Sequence, residues 1–125
     1  MIKTFFNKDI LILEVDFVGE IRFADLFEYG EKIRLDKELP RNLKILTNAT
    51  QANYKLSPEE ITLMQKDLKE QIKSYNSVKT AVVQDKPFET AISMLVDVDL
   101  SIPDYSHKVF STRMAAMEWL MTFTY

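Results

Sequence analysis

The spacing between apolar residues changes from one segment of this 125-residue chain to the next, and these changes limit the folds open to it. Two segments near the N-terminus, Ile2–Asn7 and Ile10–Val18, have the composition of strands, and the Asn and Asp between them tolerate turn conformations. The face of the second strand that is predicted to be buried carries Leu11, Leu13, Val15 and Phe17. From Phe23 apolar residues recur every three or four positions, which indicates an amphipathic helix that ends before Pro40. The chain is therefore predicted to begin with an antiparallel hairpin and a helix.

Three later segments also have the apolar, β-branched composition of strands. They are Leu43–Thr47, a segment that begins at Val78, and a segment that begins at His107. A helix pattern follows each of them, so strands and helices alternate to the end of the chain. This alternation predicts one α/β domain over residues 1–125, in the order ββαβαβαβα, with flanking helices. Its five-stranded sheet is predicted to be mixed, and parallel except at the first strand.

Local signals mark where three of the helices begin. The segment Ser57–Glu60 fits a capping box with a proline at the first helical position. Pro87 is predicted to open the next helix in the same way. The apolar face of that helix is predicted to carry Phe88, Ala91, Ile92 and Leu95. Ser111 or Thr112 is predicted to cap the last helix.

Composition limits the class of protein. The chain is 46% hydrophobic and 28% charged, with a net charge of −3 and no cysteine. This balance is typical of a soluble globular domain and excludes a disulfide framework. Because Lys and Arg form no dense cluster, nucleic acid is not an expected partner. No segment is apolar enough to span a membrane and no secretory signal is visible, so a cytoplasmic location is expected.

Glycine and histidine are scarce in this chain, and this scarcity excludes several kinds of binding site. Glycine occurs only at positions 19 and 30, so neither a P-loop nor a dinucleotide fingerprint is present. Gly30 lies on the apolar face of the first helix, where it is expected to let that helix approach the sheet closely. His107 is the single histidine and is expected to be solvated or hydrogen-bonded, so no metal site and no cofactor are predicted. The acidic run at residues 97–104 lacks the glycine turn and the terminal Glu of a calcium loop.

The carboxyl ends of the predicted parallel strands are the place where open α/β sheets bind ligands. Polar residues are predicted at this edge and would form a rim there. They are Thr47, Asn48, Thr50, Asp85, Lys86 and Arg113. The alternative interpretation is that they cap helices and form turns, which need the same residue types. The sequence leaves both interpretations open.

The last helix is apolar around much of its circumference, which predicts a surface for a partner protein. The residues predicted to form this partner surface are Trp119, Met121, Phe123 and Tyr125. A homodimer formed through this helix is one hypothesis for that partner. The inner face of the same helix is predicted to carry Ala116, Trp119, Leu120 and Phe123.

Four stretches of the sequence resemble a known family. They are "VDFVGEIRFADLFEYGEKI", "LKILTNAT", "KTAVVQDKPFETAISML" and "HKVFSTRMAAMEWL". In these stretches an apolar-Gly pair precedes the first helix, one strand contains Ala-Val-Val, and a strand-helix unit closes the chain. They resemble the SpoIIAA-like proteins, also described as STAS/SEC14-domain proteins, over nearly the whole chain.

This resemblance implies a β-α superhelix and a regulatory or protein-binding role. STAS domains of the anti-sigma-factor-antagonist type are switched by phosphorylation of a Ser that follows an Asp, in the turn after the third strand. Here the same region lacks an Asp-Ser pair, and Thr47 and Thr50 are the nearest hydroxyls. The SEC14 branch of the resemblance implies a lipid bound in an apolar cavity, although those domains are considerably larger.

Three functions follow as hypotheses. The leading one is a non-enzymatic STAS-like regulatory or protein-interaction module. The second is a small apolar-ligand or lipid-binding module, suggested by aromatic residues near the first edge of the sheet. Those residues are Phe5, Phe6, Phe17, Phe23 and Phe27. The third is an enzyme that uses Asp85, Lys86 or Arg113, but no catalytic arrangement is visible, so an enzyme is not expected.

Overall fold

Strands and helices alternate along the chain after an initial hairpin, as predicted. The structure, a computed structural model, describes residues 1–87, 89–92 and 104–123. Its elements are β1 (Ile2–Asn7), β2 (Ile12–Arg22), α1 (Phe23–Leu35), β3 (Asn42–Lys55), α2 (Pro58–Gln71), a 3₁₀ turn (Ile72–Ser74), β4 (Ser77–Val83), β5 (Tyr105–Phe110) and α3 (Arg113–Met121). Residues 89–92, which follow Pro87, are also helical.

The five strands form one sheet in the order β1-β2-β3-β4-β5. β1 runs antiparallel to β2, and the pairs β2-β3, β3-β4 and β4-β5 are parallel. This is the mixed sheet that the sequence predicts, with its single antiparallel strand at one edge. The predicted α/β fold is therefore confirmed.

The hairpin turn places one residue differently from the prediction. Leu13, Val15 and Phe17 are buried on one face of β2, as expected. Leu11 was predicted to join them, but it precedes β2, has a φ of 57° and is 56% exposed. The left-handed conformation at Leu11 turns the chain before the strand begins, so this side chain does not share the alternation of β2.

β2 and β3 are longer than predicted. β2 was expected to end at Val18 and continues to Arg22, while β3 was expected to end at Thr47 and continues to Lys55. The two strands pair with each other beyond the last β3-β4 pair, Asn48 with Val83. The turn predicted at residues 47–50 is therefore wrong, because this segment lies within a strand that finds its partner in the extended β2.

A bulge bends β3 where β4 ends. Asp16 pairs with Asn48 and Val18 pairs with Gln51, so β3 has one extra residue between these two pairs. The side chain of Gln84, which is 2% exposed, donates a hydrogen bond to the Ala49 carbonyl from its Nε2 atom. A bulge leaves part of the ladder unpaired, and this glutamine supplies the missing donor.

Separate hydrophobic clusters cover the two faces of the sheet. The larger cluster joins β2, β3 and β4 to α1, and Ile92 and Ile72 pack against it. The smaller one lies under α3. Its buried members are Ile12, Leu46, Ala81, Val83, Ala116 and Leu120. Of the predicted inner positions of the last helix, Ala116 and Leu120 are buried and Trp119 packs against this smaller cluster.

The predicted helix starts are also confirmed. The Ser57 hydroxyl accepts a hydrogen bond from the Glu60 amide at 3.2 Å, and the Glu60 carboxylate accepts one from the Ser57 amide at 2.9 Å. Thr112 caps α3 by accepting from the Ala115 amide at 3.2 Å. Each of these signals acts over three residues, which is why spacing alone predicts them.

Part of the predicted third helix lies outside the described residues. Phe88 and Leu95 are among the residues not described, as are Asp97 and Asp99 of the acidic run. Of the apolar face predicted for this helix, Ile92 packs against the larger cluster, while Ala91 is exposed.

Candidate functional site

A partly enclosed cavity of about 150 Å³ lies between α1, α2 and the face of the sheet that carries the larger cluster. Its walls come from β2, β3, β4, β5, both helices, the 3₁₀ turn and the helical residue Ile92. The lining side chains are mainly aliphatic and aromatic. They are Phe17, Leu26, Tyr29, Ile33, Ile45, Tyr54, Leu56, Met64, Leu68, Ile72, Val78, Val82, Ile92 and Tyr105, with Gly30, Thr47, Gln71, Thr80 and His107.

Two helix ends are tied together beside this cavity. The Tyr75 hydroxyl, at the end of the 3₁₀ turn, donates a hydrogen bond to the Ile33 carbonyl of α1 at 2.6 Å. The Arg41 guanidinium lies over the Tyr75 ring, 4.2 Å from its centroid. These contacts hold the last turn of α1 against the end of α2, and so fix the two helices that roof the cavity.

Aromatic rings on one wall meet edge to face. The ring of Phe17 lies 5.8 Å from that of Tyr29 at 85°, and 6.4 Å from that of Tyr54 at 88°. The Thr47 hydroxyl interacts with the Tyr29 phenol, and burial raises the pKa of Tyr29 above its ordinary value despite this contact. A raised phenol pKa means that the surroundings disfavour a negative charge at this place.

Gln71 is the buried amide of the cavity. It ends α2, lines the cavity and is 7% exposed. Its amide lies against Gly30 of α1, where a Cβ atom would overlap the amide atoms. The missing side chain of Gly30 therefore allows α1 and α2 to pack closely. The sequence predicted that Gly30 permits a close approach, but it assigned the sheet as the neighbour, and this assignment was wrong.

The structure distributes the residues of the predicted rim over different places. Thr47 is 2% exposed and lines the cavity, because alternate residues of β3 face opposite sides of the sheet. Asn48 is exposed, and its Oδ1 atom accepts hydrogen bonds from the amide and hydroxyl of Thr50. Thr47 and Asn48 thus do not share one polar rim, since they belong to a continuous strand and not to a loop.

Asp85 and Lys86 follow β4, as predicted, and contribute to the connection with β3. The Gln84 Oε1 atom accepts hydrogen bonds from the amides of Asp85 and Lys86 at 3.0 and 3.1 Å. The Lys86 ammonium donates to the Ala52 carbonyl at 3.3 Å. The bond from Lys86 attaches the segment after β4 to the part of β3 that follows the bulge.

Arg113 belongs to the first turn of α3 and contacts the opposite face of the sheet from the cavity. Its guanidinium donates to the Glu14 carboxylate at 2.8 Å, and the Asn7 side-chain amide donates to the same carboxylate at 3.1 Å. These two hydrogen bonds, the one from Arg113 first, hold the pKa of Glu14 below its ordinary value of 4.5. Arg113 is therefore part of an ion pair between β2 and α3.

Trp119 and Phe123, two members of the predicted partner surface, make contacts within the chain. Their rings lie 5.1 Å apart at 87°, and Trp119 also packs against Phe110 of β5. Met121, at the end of α3, is 45% exposed, and Met114, in its first turn, is 74% exposed. Tyr125 lies outside the described residues. The partner surface stays a prediction.

Metal-binding clusters and membrane-spanning helices are both absent from the described part of the chain. No group of three or more His, Cys, Asp or Glu side chains in it is placed to hold a metal ion. None of its helices has the length and apolar character needed to cross a bilayer.

Gln71 and Thr80 line the cavity and were not predicted as site residues, although the sequence carries one weak signal for both. Gln71 falls on the α2 stripe that also carries Met64, Leu68 and Ile72, so it is a polar residue at a core-facing position. Thr80 similarly interrupts an apolar strand. A polar residue inside an apolar stripe is the sign of a cavity that the sequence offers. The residues that enclose these polar side chains come from distant parts of the chain, so the sequence does not show which residues form the cavity.

Comparison with known proteins adds to the description of the fold. No protein-family model matches this chain, and no curated protein matches it. Among solved structures, the chain is similar to the crystal structure of an uncharacterized protein from the DUF3478 family, with a SpoIIAA-like fold, from Shewanella loihica PV-4. The TM-score is 0.63 at 15% identity, over 96% of this chain and 92% of that chain. The chain therefore has the SpoIIAA-like fold that its sequence resembles.

Proposed function

We propose that this chain, with its SpoIIAA-like fold, is a binding module for a small and mainly apolar ligand held between α1, α2 and the sheet. The observation that carries the proposal is the cavity of about 150 Å³ with apolar walls and a buried amide. Ligand sites are concave, mostly apolar and supplied with a few placed polar groups, and this cavity has each of these properties.

The size of the cavity limits the ligand. A cavity of about 150 Å³ takes up benzene or xenon when it is lined by apolar side chains. A lipid with two acyl chains exceeds this volume. The proposed ligand is therefore a compact molecule, in contrast to the lipids that the SEC14 resemblance implies.

Benzene is a suitable probe of this proposal, followed by NMR of ¹³C-labelled Ile and Val methyl groups. We expect benzene to shift the methyl signals of Ile33, Ile45 and Val82, which line the cavity. The methyls of Ile12 and Val83 lie in the smaller cluster on the opposite face and serve as the internal control. Absence of any shift at saturating benzene, or equal shifts on both faces, would contradict the proposal.

A second proposal keeps the protein-interaction role. Met114 and Met121 expose thioether side chains on α3, and exposed methionines suit adaptable protein interfaces. In this proposal α3 binds another protein or a second copy of this chain. Sedimentation across a concentration series, compared with a Met114→Ser, Met121→Ser variant, tests for the homodimer. A monomer at high micromolar concentration would remove the homodimer.

A catalytic role receives less support from the same residues. Lys86 and Arg113 each engage an oxygen atom of the protein itself, at Ala52 and Glu14. These contacts favour structural roles for both side chains. We therefore propose binding without chemistry.

A further inference from the structure

The side chain of Gln71 is a buried amide that has no hydrogen-bond partner among the described residues. Gln71 is 7% exposed and belongs to the lining of the cavity. Its amide also touches Gly30, which lines the same cavity. An amide removed from water without a new partner lowers the stability of the fold. A bound molecule with one hydrogen-bonding group would supply the missing partner.

The walls of the cavity that Gln71 lines are suited to an aromatic ring. Phe17, Tyr29 and Tyr54 already meet edge to face, and Tyr105 and His107 line the cavity from β5. Aromatic rings attract one another most strongly in edge-to-face or offset arrangements, with centroids about 4.5–7 Å apart. A planar ring placed in the cavity extends such an arrangement.

The same walls favour an uncharged molecule. Among the described lining residues none is Asp, Glu, Lys or Arg. Burial raises the pKa of Tyr29, so a negative charge is disfavoured at the cavity wall. Transfer of a charged group into apolar surroundings without a counter-charge is strongly unfavourable.

We infer that the cavity binds small uncharged aromatic molecules with one hydrogen-bonding group, of the size of phenol, and that the Gln71 amide recognises that group. The inference rests on the proposed function, since it identifies the class of ligand for the same cavity. The cavity volume limits the size of the ligand, and the aromatic walls favour a planar ring. The Gln71 amide determines where the hydrogen-bonding group of the ligand lies.

Phenol and toluene are a matched pair of probes, because they differ only by a hydroxyl in place of a methyl group. We expect phenol to bind the full chain about three- to tenfold more tightly than toluene, the effect of one neutral hydrogen bond. In Gln71→Met, which keeps the length of the side chain without its amide, the preference for phenol over toluene should disappear. Gln71→Leu is the second variant, and affinities come from the Ile and Val methyl shifts.

The outcomes separate this inference from the proposed function. The inference is overturned if the unaltered protein binds phenol and toluene with equal affinity, or if the Gln71 variants still prefer phenol. In either case the proposed binding of apolar molecules stands. Benzoate binding as tightly as phenol would overturn the restriction to uncharged molecules. If neither toluene nor phenol shifts the cavity methyls, the proposed function fails, and the inference fails with it.

Discussion

The contact between Gly30 and Gln71 decides how closely α1 and α2 pack. Inside a helix, Gly→Ala normally stabilises by about 1 kcal/mol. Here a Cβ atom at position 30 would overlap the Gln71 amide, so the amide would have to move. We expect Gly30→Ala to give no gain in the free energy of unfolding in the unaltered protein, but about 1 kcal/mol in a Gln71→Ala background.

Urea unfolding of the two single variants and the double variant measures this coupling. The Gln71→Ala background is the control, because it retains the helix propensity of position 30 and removes the overlap. If the changes in the free energy of unfolding of the two single variants add up to that of the double variant within about 0.3–0.5 kcal/mol, the Gln71 amide moves without cost. That result would contradict the prediction.

The ion pair between Glu14 and Arg113 makes a pH-dependent contribution to stability. The folded state holds the pKa of Glu14 below its ordinary value of 4.5, first through Arg113 and then through Asn7. The carboxylate therefore stabilises the fold above pH 4.5, and this contribution is lost as the pH falls through the lowered pKa. We expect Glu14→Gln to reduce the free energy of unfolding at pH 7 by about 0.5–1 kcal/mol, since the Arg113 side chain is largely exposed.

Urea unfolding at pH 7 and pH 3 tests the sign of this effect. The unaltered protein and Glu14→Gln should differ more in the free energy of unfolding at pH 7 than at pH 3. Glu28→Gln is the control, because Glu28 forms an exposed pair with Lys32 at 3.8 Å. A difference between Glu14→Gln and the unaltered protein that is the same at both pH values would contradict the prediction.

Among the elements, β3 shows where sequence patterns fail. Its first half, Leu43–Thr47, is apolar and was predicted, while its second half contains "NATQANYK", which has the composition of a loop. That half is a strand because β2 continues beside it to Arg22 and pairs with it. Strand pairing of this kind joins residues about thirty positions apart in the chain, so local composition does not reveal it. The cap at Ser57 acts within three residues, and it was predicted.

Gln84 is the side chain that joins the ends of two strands. Gln84→Ala would leave the Ala49 carbonyl and the amides of Asp85 and Lys86 without their partner. Because Ala49 is fully buried and the hydrogen bonds to the two amides are partly buried, we expect a loss of about 2 kcal/mol in the free energy of unfolding. Asn48→Ala is the control, since the side chain of this exposed residue bonds to Thr50, and we expect it to cost less than about 1 kcal/mol. Equal losses in the two variants would show that Gln84 does not have this role.

At the scale of the whole molecule, the cavity is a product of topology. The parallel pairing of β2 through β5 aligns alternate residues of four strands on one face, and α1 and α2 cover it. The sequence predicted this sheet and these helices. It did not predict the cavity, because the cavity is the space that remains after the lining side chains have packed, and packing joins residues from distant parts of the chain.

The two layers on either side of the sheet should respond differently to a bound ligand. A molecule in the cavity contacts α1 and α2, whereas α3 packs over the separate smaller cluster. A bound ligand raises the free energy of those opening reactions that release it, by RT ln(1 + [L]/Kd). At a ligand concentration of ten times Kd, amide hydrogens that exchange through such openings exchange about tenfold more slowly. We therefore expect toluene to slow amide hydrogen exchange about tenfold in α2 and to leave locally exchanging amides of α3 unchanged.

Hydrogen exchange followed by NMR measures both helices in one sample, with α3 as the control. Equal slowing in α2 and α3 would mean that the two layers open together as one cooperative unit, and the separation inferred from the two clusters would then be wrong.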